Sequence, residues 1–254
     1  MPINDDLGNR MKEYYENIPK IKLYRRTPVI IRIDGKSFHS FTKGFKKPFD
    51  DILIKSMQET MKYLCQNIQG CVLGYCQSDE ISLLLIDYKN LESQAFFDYE
   101  VQKVCSVTAS MTTMAFNKIF EDNVNDYNER ETYLKALNKG AMFDSRCFNI
   151  PVEEVTNYFY WRQLDATRNS IQMVGQAKFS HKELQHKTCN MIQDMLHEQC
   201  GINWNDFPTH KKRGSCCIKI DENGRSKWIV DNDIPIFKED GRNYIDNLVL
   251  IRRN

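Results

Sequence analysis

The sequence lacks any apolar run that approaches the roughly 20 residues needed for a membrane-spanning helix. Its first ten residues are polar and acidic, so they do not resemble a secretory signal peptide. The nine cysteines include no Cys-x-x-Cys pair, and their odd number favours reduced thiols over a disulfide framework. These absences predict a cytoplasmic protein with no membrane partner.

Strong charge bias, internal repeats and low-complexity linkers are also absent. The formal net charge is +1, and hydrophobic residues make up 41% of the 254 positions, as in ordinary soluble proteins. That length suits one large domain or one domain with an appended subdomain. We expect an α+β catalytic domain over residues 1–150 and a mainly helical region over 151–254 packed on it, with a soft boundary between them.

The order of hydrophobic patterns indicates a ferredoxin-like fold. Short β-branched or apolar runs bounded by turns predict strands, and apolar residues at helical spacing predict helices. The predicted strands cover residues 29–33, 71–75, 81–86 and 141–150, and the predicted helices run over 50–68 and from Ser93 to about 115. This βαββαβ order places helices on one face of an antiparallel sheet. Residues 152–200 look mostly helical, and a small hairpin turning at Asn223-Gly224 follows.

Two carboxylates, Asp34 and Asp79, are predicted to meet at one edge of this sheet. Asp34 ends the first strand, and Asp79 lies at the tip of the central hairpin beside it. Carboxylates placed so closely repel each other, and one takes up a proton unless a cation lies between them. Each turn alone is more typical of a solvated loop, but the combination favours a magnesium site, since Mg²⁺ binds few carboxylates together with waters and phosphates. Glu80, on the opposite face of its strand, is given a supporting role.

The surroundings of this pair favour a nucleoside triphosphate as ligand. Two magnesium ions about 3.5–4 Å apart stabilise both the attacking and the leaving oxygen of a phosphoryl displacement. The glycine after Asp34 lets the backbone approach an anion closely. The side chains predicted to bind phosphate, base or sugar are Lys36, Phe38, His39, Lys47, Lys103 and Arg146.

Several ordered motifs of the chain resemble the tRNA-histidine guanylyltransferase superfamily. They are RIDGKSFH at 32–39, FKKPFD at 45–50, QSDE at 77–80, Lys103, FDSR at 143–146, WRQ at 161–163 with Asp165, and Arg213-Gly214. The resemblance covers roughly residues 25–220. It implies a polymerase-like palm domain that works in the reverse direction and adds nucleotides to the 5′ end of tRNA.

The resemblance also implies how the site is assembled and what it uses. Asp34 and Asp79 would bind two magnesium ions with help from the Gly35 carbonyl, and residues 34–39 with Ser78 would line the triphosphate site. A triphosphate such as ATP or GTP would activate the 5′-phosphate of the tRNA, and the 3′-hydroxyl of an incoming nucleotide would then attack that activated end. Members of the superfamily are typically homotetramers.

One departure from the family pattern shifts the expected substrate. Histidine-tRNA enzymes carry HINNLYNT after the Trp-Arg-Gln segment, whereas residues 166–172 read ATRNSIQ here. This stretch is similar to the guanylyltransferase-like branch of bacteria and archaea, which repairs 5′-truncated tRNAs by templated addition. Repair is therefore the leading prediction, with addition of guanosine to histidine tRNA as the alternative.

Two further functions and three further sites compete with this interpretation. A nucleotide cyclase shares the palm and acidic hairpin, although diguanylate cyclases carry GG(D/E)EF there, and an RNA-binding module needs no paired carboxylates. Cys76 lacks an obvious neighbouring base, and the aromatic run 158–161 suits core packing at least as well as RNA stacking. The residues His181, His186, Cys189, His197 and Cys200 form no compact four-ligand zinc pattern.

Overall fold

A six-stranded antiparallel sheet organises the chain. The computed structural model describes residues 5–126, 130–222 and 224–250. The strands are β1 Val29–Gly35, β2 Cys71–Gln77, β3 Glu80–Leu85, β4 Phe143–Asn149, β5 Ser215–Glu222 and β6 Arg225–Asp231, in the order β4-β1-β3-β2-β5-β6. The first four strands therefore have the spatial order of a ferredoxin-like sheet, which confirms the predicted α+β fold.

Helices connect the strands and cover both faces of the sheet. They are α1 Asp6–Met11, α2 Phe38–Phe41, α3 Asp51–Asn67, α4 Val101–Asn125, α5 Arg130–Lys139, α6 Val152–Gln176, α7 His181–Leu184, α8 Cys189–Cys200, α9 Thr209–Arg213 and α10 Asn243–Val249. A π-helical turn, Lys12–Glu16, continues α1. Within the described ranges no helix is long and apolar enough to cross a membrane.

Alternation along β1 divides the core into two layers. Val29, Ile31 and Ile33 point to one face, where they pack with α3 and α4, and Ile30 points to the other, where it packs with α6. All three odd-numbered side chains and Ile30 are fully buried. Both faces of the sheet are covered, so the polar end of β1, at Asp34 and Gly35, can meet a ligand only at the edge of the sheet.

The late hairpin belongs to the same sheet as the first four strands. β5 pairs with β2, and Cys76 lies opposite Ser215 in the register. The predicted turn residue Asn223 lies outside the described residues, whereas Gly224 has a φ of 76° that suits a turn. The division of the chain near residue 150 stays a prediction.

The second long helix begins later than the sequence indicates. Ser93 does not cap it, since its hydroxyl accepts a hydrogen bond from the Asn90 N–H and α4 starts at Val101. Phe97 and Asp98 have φ values of 50° and 51°, which interrupt any helix between Ser93 and Glu100. The predicted start of α3 is confirmed, because the Asp50 carboxylate accepts from the Leu53 N–H at 2.9 Å.

Candidate active site

The end of β1 and the β2–β3 turn form the floor of a cleft of about 790 Å³. Asp34 lies opposite Glu80 in the β1–β3 register, and Asp79 immediately precedes Glu80 in the chain. The Gly35 N–H donates to the Asp79 carbonyl at 3.1 Å and ties the turn to the strand. Asp34, Gly35, Ser78 and Asp79 all line the cleft. The two carboxylates predicted to be neighbours are therefore brought together.

The electrostatics of the floor show an uncompensated negative charge. Burial raises the pKa of Asp79 to about 6, and the nearby charge of Asp34 adds to the rise. The Asp79 backbone and the Ser78 hydroxyl, which donates at 3.1 Å, oppose it by stabilising the carboxylate. A protonated Asp79 is thus favoured below about pH 6 when no cation is bound.

This donor set fits a hard divalent cation. Carboxylate and carbonyl oxygens from Asp34, Asp79 and Gly35 are ligands that magnesium prefers. Among the described residues no three His, Cys, Asp or Glu side chains are grouped to hold a metal ion. The protein would therefore supply few ligands, which leaves room for the waters and phosphate oxygens that complete magnesium coordination.

The loop after Asp34 is held against the core. A Cβ on Gly35 would lie 2.2 Å from the Phe38 ring, so this position has no space for a side chain. Phe38 is buried and packs with Phe41, Phe116 and Phe143. Ser37 has a φ of 54°, a conformation that non-glycine residues adopt rarely. Ser37, Phe38 and His39 line the cleft, with Phe38 acting mainly as the anchor.

A basic loop forms one wall of the cleft. Lys43, Lys46 and Lys47 line it, of which only Lys47 was predicted from the sequence. Asp50 fixes this loop, because its buried carboxylate accepts from the Lys46 N–H at 3.0 Å and from the Tyr133 hydroxyl at 2.9 Å. The sequence did contain a signal for the two missed lysines, because Lys46 lies within the FKKPFD motif and Lys43 lies two residues before it.

The opposite wall comes from the far end of α6. Met173 and Gln176 line the cleft there. No sequence pattern indicated them, because helical periodicity does not show where the end of a helix packs in the tertiary structure. The cleft therefore lies between the floor carboxylates, a basic loop and an amide-bearing helix.

Glu80 supports the floor through a buried ion-pair network. Arg162 from α6 donates two hydrogen bonds of 2.7 Å to the Glu80 carboxylate, and Arg32 approaches it at 3.0 Å. Burial raises the pKa of Glu80, although both arginines oppose the rise. The Arg162 guanidinium also lies 4.4 Å from the Trp161 ring centroid. Because Glu80 follows Asp79, this network fixes the hairpin tip, and the supporting role of Glu80 at the site stays a prediction.

Three predicted phosphate ligands do not line the cleft. Lys36 is exposed and its N–H donates to the Met142 carbonyl. Arg146 is bound by Asp144 at 2.7 Å on β4. Lys103 lies at the start of α4, with its ammonium 5.3 Å from the Phe97 ring centroid.

The course of α4 explains the remote position of Lys103. Near the start of α4, Cys105 contacts Cys147 of β4, which pairs with Ile31 of β1. Two turns later, the Thr113 hydroxyl accepts a hydrogen bond from the N–H of Phe143, which lies opposite Gly35. The beginning of α4 therefore lies at the end of the sheet away from Asp34. Within one chain the structure does not bring Lys103 to the cleft.

Two of the competing sites, Cys76 and the aromatic run 158–161, contribute to packing. Cys76 is buried, which raises its pKa well above the ordinary thiol value and disfavours the nucleophilic thiolate. Tyr158 and Phe159 are core residues, and Trp161 covers Arg162. All nine cysteines lie in described segments and are free thiols.

Comparisons with known proteins point to one family. A family model described as tRNAHis guanylyltransferase (Thg1) matches residues 8–151. The tRNA(His) guanylyltransferase of Saccharomyces cerevisiae is 29% identical over 208 residues, which are 76% of this chain and 83% of the yeast protein. The structure of a bacterial tRNA(His) guanylyltransferase (Thg1)-like protein in complex with ATP is 46% identical, with a TM-score of 0.85 over 97% of this chain and all of that one. A GTP complex of a bacterial Thg1-like protein is 44% identical, with a TM-score of 0.77, and covers 96% of this chain and 99% of that one.

Proposed function

The chain belongs to the tRNAHis guanylyltransferase family, and we propose that it repairs 5′-truncated tRNA by adding nucleotides to the 5′ end against the opposite strand. Members of this family are nucleotidyltransferases, and the chain is an enzyme of this class. The observation that carries the proposal is the Asp34–Asp79 pair on the floor of a cleft with a basic wall. Family membership favours nucleotide transfer over the cyclase and RNA-module alternatives.

ATP or GTP is the proposed ligand of the cleft. Bacterial relatives with 46% and 44% identity were solved with ATP and GTP respectively. Lys43 and Lys47 supply positive charge for the phosphates, and the close Gly35–Phe38 packing holds the loop that faces them. The exposed His39 imidazole lies on the same cleft, where it suits contact with the base or sugar.

Magnesium is the proposed cofactor, as two ions held by Asp34, Asp79 and the Gly35 carbonyl. When bound, it would neutralise the charge of the phosphate oxygens and stabilise the attacking and leaving oxygens. The task of the chain is to keep both carboxylates ionised and oriented. Glu80 and Arg162 orient the hairpin tip, and Ser78 donates to Asp79.

The altered segment 166–172 supports repair over histidine-tRNA maturation. It lies in α6, where Ala166 and Ser170 are buried and Ser170 accepts from the Trp204 indole at 3.1 Å. These buried residues pack α6 against its neighbours, and the segment lacks the HINNLYNT sequence of the histidine-tRNA enzymes. We therefore favour template-directed addition to several tRNAs over guanosine addition to one.

A homotetramer in the cytoplasm is proposed for the assembled protein. The segment 6–16 contains no buried residue, and large apolar side chains are exposed along it and just after it. They include Leu7, Tyr14, Tyr15, Ile18, Ile21 and Tyr24. Exposed apolar side chains concentrated on one segment mark an interaction surface and support self-association.

Extension of 5′-truncated tRNAs with each triphosphate in turn tests the reaction. Four tRNAs that differ only in the base opposite the missing 5′ nucleotide are incubated with the protein, magnesium and one labelled triphosphate. Repair predicts that the added nucleotide follows the opposite base. Addition of guanosine alone, and to histidine tRNA alone, would support histidine-tRNA maturation instead. Formation of a cyclic nucleotide without RNA would refute the proposed nucleotide addition.

A further inference from the structure

A second cavity lies beside the cleft and has no part in the proposed triphosphate site. It has a volume of about 590 Å³, opens to the solvent, and lies between the end of α6, the turn of α7 and the start of α8. This volume falls within the roughly 300–1,000 Å³ of small-ligand cavities. Gln176 lines both this cavity and the cleft, so the two are adjacent. We call it the lateral cavity.

The polar side chains of the lateral cavity are available for a ligand. Its walls present Gln172, Gln176, Gln185, His181, His186 and Lys187. All six residues are exposed, and in the described ranges none of their side chains makes a hydrogen bond or an ion pair with another residue. Amide and imidazole groups combine donors and acceptors, which is the hydrogen-bonding set that reads the edge of a nucleobase.

The described lining of the lateral cavity includes one cation, Lys187, and no carboxylate. Glu183, on the same short helix, is turned away because its carboxylate accepts from the Ser180 N–H and hydroxyl at 2.8 and 2.6 Å. Lys187 could therefore pair with one phosphate of a bound nucleotide.

The remaining wall of the lateral cavity is apolar. Phe179, Leu184 and Ile192 supply it, so one face of a bound ring would contact carbon while its edge met the amides. His186, at the rim, has a φ of 62°, a strained conformation that is common at ligand sites. An apolar wall, amide edges and a cation together fit a nucleotide.

We infer that the lateral cavity binds an unpaired nucleotide of the RNA strand opposite the 5′ end being extended. The inference rests on the proposed function, since templated addition pairs one base of that strand with the incoming nucleotide and leaves the bases beyond it unpaired. The shared Gln176 wall makes the two ligands neighbours, which favours a continuous RNA strand over a free nucleotide. The cavity would thereby hold the template strand in place while the cleft holds the incoming nucleotide.

A binding comparison with two RNAs and two double variants tests this inference. One RNA is a 5′-truncated tRNA, whose opposite strand overhangs, and the other is the same RNA trimmed to a blunt end. The cavity variant is His181→Ala with Lys187→Ala. The control variant, Lys182→Ala with His197→Ala, removes the same residue types from exposed positions outside the cavity. Affinities are measured by fluorescence anisotropy at one fixed salt concentration.

The wild type should bind the overhanging RNA about tenfold more tightly than the blunt RNA, as expected for one stacked base. The control should keep this ratio, and the cavity variant should lose most of it while binding ATP normally. Equal loss for both RNAs, or no loss, would overturn the inference. Loss of one of two bound ATP molecules in the cavity variant would assign the cavity to free nucleotide and also overturn it. Failure of the wild type to extend any truncated tRNA would instead refute the proposed function.

Discussion

At Asp79, the stability of the fold and the proposed metal-binding role make opposite demands. The folded-state pKa of about 6 lies above the ordinary carboxyl value, so the folded protein holds this proton more tightly than the unfolded chain does. The stabilisation from that proton is fully present below about pH 4 and is lost as the pH rises through about 6. At neutral pH an ionised Asp79 therefore destabilises the fold until a cation binds.

The Asp79→Asn variant should be more stable than the wild type at pH 8 without metal. The gain is at most about 3 kcal/mol, because the pKa shift of about two units corresponds to about 1.4 kcal/mol per unit. Chemical denaturation at pH 8, 6 and 4 checks this, and the gain should vanish at pH 4. Magnesium should stabilise the wild type but not the variant. Asp144→Asn serves as the exposed control, and a less stable Asp79→Asn at pH 8 would refute the account.

Gly35 is the second residue on which the site depends, because a Cβ at this position would collide with Phe38. Gly35→Ala places a Cβ within 2.2 Å of the Phe38 ring and forces that ring out of its aromatic cluster. We expect a loss of about 1–3 kcal/mol in the free energy of unfolding. Urea denaturation measures it, and adding Phe38→Leu should recover part of the loss. An unchanged midpoint for Gly35→Ala would show that the ring is free to move.

At the scale of elements, α6 supports the β2–β3 hairpin from the second face of the sheet. Arg162 and Glu80 are both buried, with side-chain exposures of 4% and 5%. A buried ion pair adds little net stability, but removing one partner leaves an uncompensated charge in the core. The hairpin tip, and with it Asp79, is therefore sensitive to a residue on a distant helix.

Arg162→Met should cost about 3–5 kcal/mol in the free energy of unfolding. The double variant Arg162→Met with Glu80→Gln should recover part of that loss, because the unpaired charge is gone. Arg168→Met is the matched control, since Arg168 pairs with Asp165 on the same helix but is exposed. Equal losses for Arg162→Met and Arg168→Met in urea denaturation would contradict a buried positioning role.

Elements near the site differ in how far the sequence predicts them. β1, α3 and the β2–β3 hairpin follow from local signals, which are the β-branched run, the Asp50 cap and the polar tip. The start of α4 does not, because the left-handed Phe97 and Asp98 depend on tertiary packing. The contributions of Met173, Gln176 and Arg162 to the site were also missed, since periodicity predicts a helix without fixing its docking position. Lys103, which charge and the family motif suggested for the triphosphate site, lies away from the cleft within one chain, and its binding role stays a prediction.

For the whole molecule, the exposed apolar side chains of residues 7–24 predict an assembly. Sedimentation equilibrium should give four times the mass of one chain. Tyr15→Glu with Ile18→Glu should shift the protein to smaller species, because charges would enter the interface. Leu91→Glu changes a side chain that is 91% exposed elsewhere and should leave the assembly intact. A monomeric wild type, or a double variant that stays tetrameric, would refute this surface as the interface.

The central claim is that Asp34 and Asp79 together perform nucleotide addition to tRNA. Its most direct test is extension of a 5′-truncated tRNA with magnesium and triphosphates by Asp34→Ala, Asp79→Ala and a control, Asp194→Ala, which changes an exposed residue of α8. Removing either carboxylate should lower extension by at least about a thousandfold with the fold retained, as for groups that stabilise a transition state directly. The Asp194 variant should keep most activity. Full extension by either Asp34→Ala or Asp79→Ala would contradict the account.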